Sequence, residues 1–283
     1  MRRQRALVLV AILLLLTALA PATARGTSLW RWNVYRTGGF LYQDPYYTAC
    51  TAAAAMTMLN YTALAGTGGN GFQWQPSRIQ KSPNPANIRD MTSILAFERN
   101  HDTLAASGVG SDPNGWRNAL NYFGWGPEAM VDPDRRVYEV RAYGTFDGAL
   151  KAAARAIAKY HKPVGVLAWG GRHAQVLSGY SVTGENPATS SDFVVNGFWM
   201  SDPLRSDRIA NQFITRAALL SGGPTYRFRP YVEADSPYDD PYTPGNQPSS
   251  TRSTSSAWYG RWVIVVPVKK GLPGRSTAVR TDN

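Results

Sequence analysis

The sequence predicts an α+β protein. Helical patterns fill the first half of the chain and strand patterns the second, with no regular strand–helix alternation between them. Two segments carry the prediction. One is the alanine-rich run 49–64; the other is the amphipathic run 147–160, after which the period changes to short β-branched stretches.

Residues 1–24 read as a signal peptide. Arg2, Arg3 and Arg5 make a positive start, residues 6–20 are apolar apart from Thr17, and Ala22-Thr23-Ala24 has the small-x-small pattern cut by a signal peptidase. The apolar run is shorter than the roughly 20 residues that span a bilayer. No later segment is long and apolar enough either, so the expectation is a secreted or envelope-associated protein without an integral membrane segment after signal removal. One domain, 25–269, and a polar tail, 270–283, then make up the mature chain.

Residues 25–42 form an extended lead with Trp30, Trp32, Tyr35 and Phe40. Alanine favours the helix at 49–64, where Met56, Leu59 and Leu64 recur near the helical period. The glycine-rich stretch 66–71 is a loop rather than a phosphate cradle, because no Gly-Lys-Ser/Thr follows. Residues 76–85 are also loop; 87–100 and 115–123 read as helices, the second introduced by Ser111-Asp112-Pro113-Asn114. Along 147–160, Leu150, Ala154, Ile157 and Ala158 make one face and Lys151, Arg155 and Lys159 the other. Strands follow at 164–169, 173–180, 193–200 and 258–268, with Gly170-Gly171-Arg172 as the first turn. Residues 236–257, rich in Pro, Ser, Asp and Tyr, read as an exposed loop.

Composition narrows the chemistry. Loss of Arg2, Arg3 and Arg5 with the signal lowers the formal charge from +11 to +8, and the tight basic pairs are only Arg135-Arg136 and Lys269-Lys270. That spread does not fit a nucleic-acid partner. One Cys permits no intramolecular disulfide, and a thiol in an oxidising compartment is buried, paired with another chain, or used. There is no His-x-x-x-His or Cys-x-x-Cys pair for a metal and no Gly-x-Ser-x-Gly elbow, so neither metal nor cofactor is expected.

Cys50 opens the alanine-rich helix, where unpaired N–H groups and the helix dipole favour a negative sulfur. A buried, inert Cys is the structural alternative. A cysteine nucleophile also needs a base and a group that orients it. His101 and His161 read as surface or capping residues. His173 opens a strand after the Gly-Gly-Arg turn and is placed to face a cleft; a core His bonded to a carbonyl is the alternative. Asp202, at a strand exit before Pro203, could fix the imidazole tautomer or be an ordinary Asp-Pro turn, with Asn196 as a second candidate orienter. Gln43 could donate its amide to a developing oxyanion beside the Cys50 N–H. Arg172, Trp169 and Trp199 are candidates for shaping specificity, although packing is the commoner role.

Taken in order, Gln43-Asp-Pro-Tyr-Tyr-Thr-Ala-Cys50, Arg172-His173-Ala-Gln-Val-Leu-Ser-Gly179-Tyr180 and Met200-Ser-Asp202-Pro203 resemble papain-fold cysteine peptidases of the C39-like kind. The resemblance runs from Gln43 to Pro203, with a final strand near Trp262. It implies a papain-like α+β fold, with Cys50 as nucleophile, His173 as base, Asp202 as orienter and Gln43 as oxyanion donor, acting on a peptide or peptide-like substrate. Two positions depart from the family pattern: Thr51 stands where Gly is usual, and the Gln43–Cys50 spacing is one residue longer. A transglutaminase-like acyltransferase shares the Cys, His, Asp order, and a catalytically silent papain-fold binding module of the envelope is the non-enzymatic alternative.

Overall fold

The structure is a computed structural model that describes residues 28–76, 85–102, 110–204, 210–222, 225–232 and 258–272. The signal segment 1–24, the loop 236–257 and residues 273–283 of the tail lie outside the described residues, as does most of the loop 76–85.

The described elements are β1 (Leu29–Asn33), α1 (Cys50–Leu64), α2 (Pro85–Asn100), α3 (Pro113–Trp125), α4 (Pro127–Val131), β2 (Tyr138–Tyr143) and α5 (Phe146–Tyr160), followed by β3 (Val164–Ala168), β4 (His173–Gly184), β5 (Phe193–Ser201), β6 (Ala210–Thr215), α6 (Arg216–Ser221) and β7 (Trp262–Pro267). The strands form one mixed-order but antiparallel sheet, β2-β7-β3-β4-β5-β6, with β1 also on β4. The α+β class therefore holds.

Strand β4 organises the sheet. Its first residues pair with β3, from Ala168↔His173 to Val164↔Leu177, and its later ones with β1, from Asn33↔Gly179 to Leu29↔Thr183. Its other edge takes β5. All of β3 and the first ten residues of β4 are buried, so the middle of the sheet is covered on both faces. Helices α1, α3 and α5 supply that cover.

Helix α1 is buried from Cys50 to Thr62, enclosed by α2, α3 and β4. A helix surrounded in this way has no polar face, and alanine lets its neighbours come close. On β3, a Cβ at Gly165 would come within 2.3 Å of the Trp116 ring, so glycine there admits the buried indole from α3. Local signals set the helix ends. Asp112 caps α3 by accepting from the Gly115 N–H at 2.8 Å, and Thr145 does the same for α5.

Several expectations shift. Part of the extended lead is β1, held against β4. The last strand is shorter than 258–268: Trp258 lies in a turn, and Tyr259 instead bridges to Tyr231. Strands β2 and β6 were not anticipated. Both are outer strands, β2 mostly half-buried and β6 mostly exposed, and they lack the apolar run that marks the central strands. The tail also begins as packed chain, since Lys162 Nζ donates to the Lys270 carbonyl and the Leu272 N–H to the Asn70 carbonyl.

Candidate active site

Cys50 is delivered to the site by a sequence of tight turns. The Gln43 N–H donates to the Pro203 carbonyl at 3.0 Å, the Tyr46 N–H to Gln43 at 2.8 Å, and the Ala49 N–H to Tyr46 at 3.1 Å. The Ala53 N–H then makes the bond to Ala49 at 2.9 Å that closes the first helical turn. The N–H groups of Cys50, Thr51 and Ala52 precede any intrahelical partner, and α1 has no side-chain cap and no acid in its first turn. The positive end of the helix therefore faces the sulfur unopposed.

The register of β4 on β5 brings in the base. Val176 pairs with Ser201, which sets the following residue, Asp202, across from Gln175. Residues two apart on a strand share a face, so His173 and Gln175 both reach Asp202. His173 Nε2 lies 2.6 Å from Asp202 Oδ1, and Gln175 Nε2 donates to Asp202 Oδ2 at 2.8 Å. The Leu204 N–H adds a third bond, to Oδ1, at 3.0 Å. Since Nε2 is engaged by Asp202, Nδ1 is the ring nitrogen left for Cys50, whose side chain is close enough to act on the His173 charge.

The electrostatics follow from this arrangement. Burial disfavours a charge on His173, but Asp202 and the Cys50 sulfur outweigh it and push its pKa up to about 10. Burial likewise works against an ionised Asp202, yet His173, Gln175 and the Leu204 N–H hold its pKa below the ordinary carboxylate value. The imidazole is thus cationic at neutral pH and the carboxylate anionic, in a pocket where Asp202 is fully buried and His173 only 3 % exposed. Cys50 keeps 8 % of its surface.

Thr51, the residue after Cys50, has a partner of its own. Its hydroxyl donates to Glu98 Oε2 on α2 at 2.6 Å, and both residues are buried. The other carboxyl oxygen of Glu98 has no hydrogen-bond partner among the described residues. Burial pushes the Glu98 pKa well above its usual value, and Cys50, Asp102 and Asp112 add to the rise against the Thr51 bond. Glu98 is therefore best described as a buried neutral acid tied to the residue beside Cys50.

Cys50, His173 and Asp202 are brought together, whereas the remaining candidates fall elsewhere. Gln43 is buried at the edge of the site, but its side-chain amide donates to the carbonyls of Tyr46 (3.3 Å) and Tyr47 (2.7 Å). With those donors engaged, the amide braces the turn before Cys50. Asn196 bonds to Thr183 at 2.9 Å, further along β4, and orients no histidine. His101 bonds to the Phe97 carbonyl, and His161 ends α5 and stacks on Trp32. Trp199 packs on Phe213.

Sequence reasoning missed Gln175, Thr225 and Tyr226. The Thr225 hydroxyl accepts from Gln175 and donates to Met200 Sδ at 3.3 Å, and the Tyr226 ring meets His173 edge-on at 4.9 Å. Gln175 could have been found from the two-residue period of its strand; Thr225 and Tyr226 lie in irregular chain and left no such signal. Among the described residues, no group of three or more His, Cys, Asp or Glu side chains is placed to hold a metal, and no helix is long and apolar enough to cross a membrane. Compared with known protein families, curated proteins and solved structures, the chain matches none.

Proposed function

We propose that the chain is a cysteine peptidase of papain-like fold, exported through its N-terminal signal, that cleaves an amide bond through a thioester on Cys50. The observation that carries this reading is the His173–Asp202 bond of 2.6 Å beside a Cys that begins an uncapped helix and acts on the charge of the same imidazole. A structural Cys needs neither a charged imidazole nor an uncapped helix end beside it.

In the first step, the Cys50 thiolate attacks the substrate carbonyl while the N–H groups at the start of α1 stabilise the oxyanion. The tetrahedral intermediate collapses, the C–N bond breaks, and His173 gives its Nδ1 proton to the departing amine. Now neutral, His173 takes a proton from water, which attacks the thioester; the acid leaves and the Cys50–His173 pair is restored. Asp202 holds the ring through Nε2 in both states.

Alkylation of Cys50 by iodoacetamide at mildly acidic pH, read by mass spectrometry, tests the reading with a single thiol in the chain. An ordinary thiol, of pKa about 8.5, reacts slowly under these conditions. Fast labelling that disappears in His173→Ala is the expected result. Labelling no faster than in the unfolded chain would overturn the mechanism.

A further inference from the structure

A pocket of about 240 Å³ lies between Trp169, the end of α6 and the chain at 225–229, one ring removed from His173. It shares its walls with the candidate site. Tyr226 stacks on Trp169 at 5.1 Å and meets the His173 ring at 4.9 Å, and Thr225 is bonded to the Gln175 that holds Asp202. Trp169 has φ 53°, a left-handed conformation costly for a bulky residue, and its N–H donates to the Arg227 carbonyl at 2.7 Å. Backbone bonding and ring stacking thus hold this wall in place.

The chemistry of the lining is one-sided. Arg227 and Arg229 bring guanidinium groups to the lining, the Ser221 and Thr225 hydroxyls are turned to partners of their own, and among the described lining residues there is no carboxylate. The stem of Arg227 lies on Gly222, where an added Cβ would come within 2.9 Å of its Cγ, so glycine at φ 83° lets the arginine lie close. Arg227 itself is exposed, as a group that meets a ligand at a pocket mouth must be.

We propose that this pocket receives a carboxylate on the leaving-amine side of the scissile bond. The inference rests on the peptidase reading. His173 gives its proton to the departing nitrogen, so substrate attached to that nitrogen extends past His173 toward Tyr226 and the pocket. Planar guanidinium donors match a carboxylate better than any neutral group. The carboxylate can come from an Asp or Glu side chain or from the free end of the substrate chain.

Titration calorimetry on Cys50→Ala protein tests this without turnover. The probes are acetyl-capped tetra-alanine peptides ending in Glu-amide, Gln-amide, Ala-amide or Ala with a free carboxylate. We expect a carboxylate peptide to bind about tenfold more tightly than its amide counterpart, and Arg227→Gln to erase the difference. A preference for Glu-amide over Gln-amide assigns a side-chain carboxylate; one for the free acid over Ala-amide assigns the chain end. Equal binding, no binding, or a preference that survives Arg227→Gln overturns the proposal. Iodoacetamide labelling of the parent protein reports separately on the peptidase reading: fast labelling without carboxylate preference removes the pocket alone, and slow labelling removes the mechanism.

Discussion

His173 Nε2 meets Asp202 Oδ1 at 2.6 Å because the pairing of β4 with β5 sets Asp202 opposite Gln175, one same-face step from His173. Twenty-nine residues separate the two in the chain, so the contact depends on strand register. A one-residue slip would turn both His173 and Gln175 away from the carboxylate.

Substitution of the reacting pair is expected to separate chemistry from folding. Cys50→Ala should abolish peptide hydrolysis and change stability by about 1 kcal/mol or less, because a small side chain is replaced in an alanine-rich helix. His173→Ala should slow turnover by a factor of about 10² to 10⁴. Steady-state kinetics with thermal unfolding checks both.

Asp202→Asn keeps the shape and removes the charge. The His173 pKa should fall from about 10, which NMR titration of the ring would show, and turnover should fall about 100-fold. Gln175→Leu removes one of the three donors to Asp202 and should have a smaller effect in the same direction. An unchanged His173 titration in Asp202→Asn would contradict the assigned pairing.

The stability of the pair should depend on pH in a defined window. The folded His173 pKa, about 10, exceeds the ordinary 6.5, so its contribution is complete below about 6.5 and is lost as pH rises toward 10. Asp202 is shifted below 3.8, so its contribution is present above that value and is lost as pH falls through the folded pKa. The unfolding free energy of the parent minus that of Asp202→Asn should therefore be largest between about pH 4 and 6.5 and should shrink on either side. A difference that stays flat to pH 10 would count against a charged pair.

Glu98 is expected to work in the opposite sense. Its folded pKa lies well above 4.5, so above that pH the unfolded chain releases a proton that the folded protein keeps, and stability declines as pH rises. Glu98→Gln removes that cost and still offers an acceptor to Thr51. It should stabilise the protein at neutral pH and have little effect near pH 4. Chemical denaturation at the two pH values decides it.

Gln43→Ala distinguishes a brace from an oxyanion donor. Loss of the two bonds to Tyr46 and Tyr47 should lower stability by about 1–2 kcal/mol, with a modest slowing of turnover through displacement of Cys50. Turnover slowed about 100-fold or more, with stability unchanged, would instead restore the oxyanion role. Peptide hydrolysis rates and denaturant unfolding of the same variant separate the two.

Much of the secondary structure was legible because its signals are local. Alanine content marked α1, amphipathic spacing marked α5, and β-branched runs marked β3, β4 and β5. β2 and β6 were not legible, since an outer strand is held by a neighbour's hydrogen bonds and leaves only a weak pattern in its own residues. Cys50, His173 and Asp202 could be picked out as types at telling positions: a helix start, a strand start and a strand exit.

What the sequence determined by itself, then, was the α+β class, the helix that begins at Cys50 and the candidates for its partners. Each of these depends on residues within a few positions of one another, where propensity, capping and period act. Only the tertiary structure decided that Asp202 rather than Asn196 holds His173, that the Gln43 amide braces a turn, that Thr51 is tied to Glu98, and that Tyr226 meets the His173 ring. Those outcomes follow from strand register, helix docking and the burial of charge. Each is a sum over distant parts of the chain, and no local pattern encodes it.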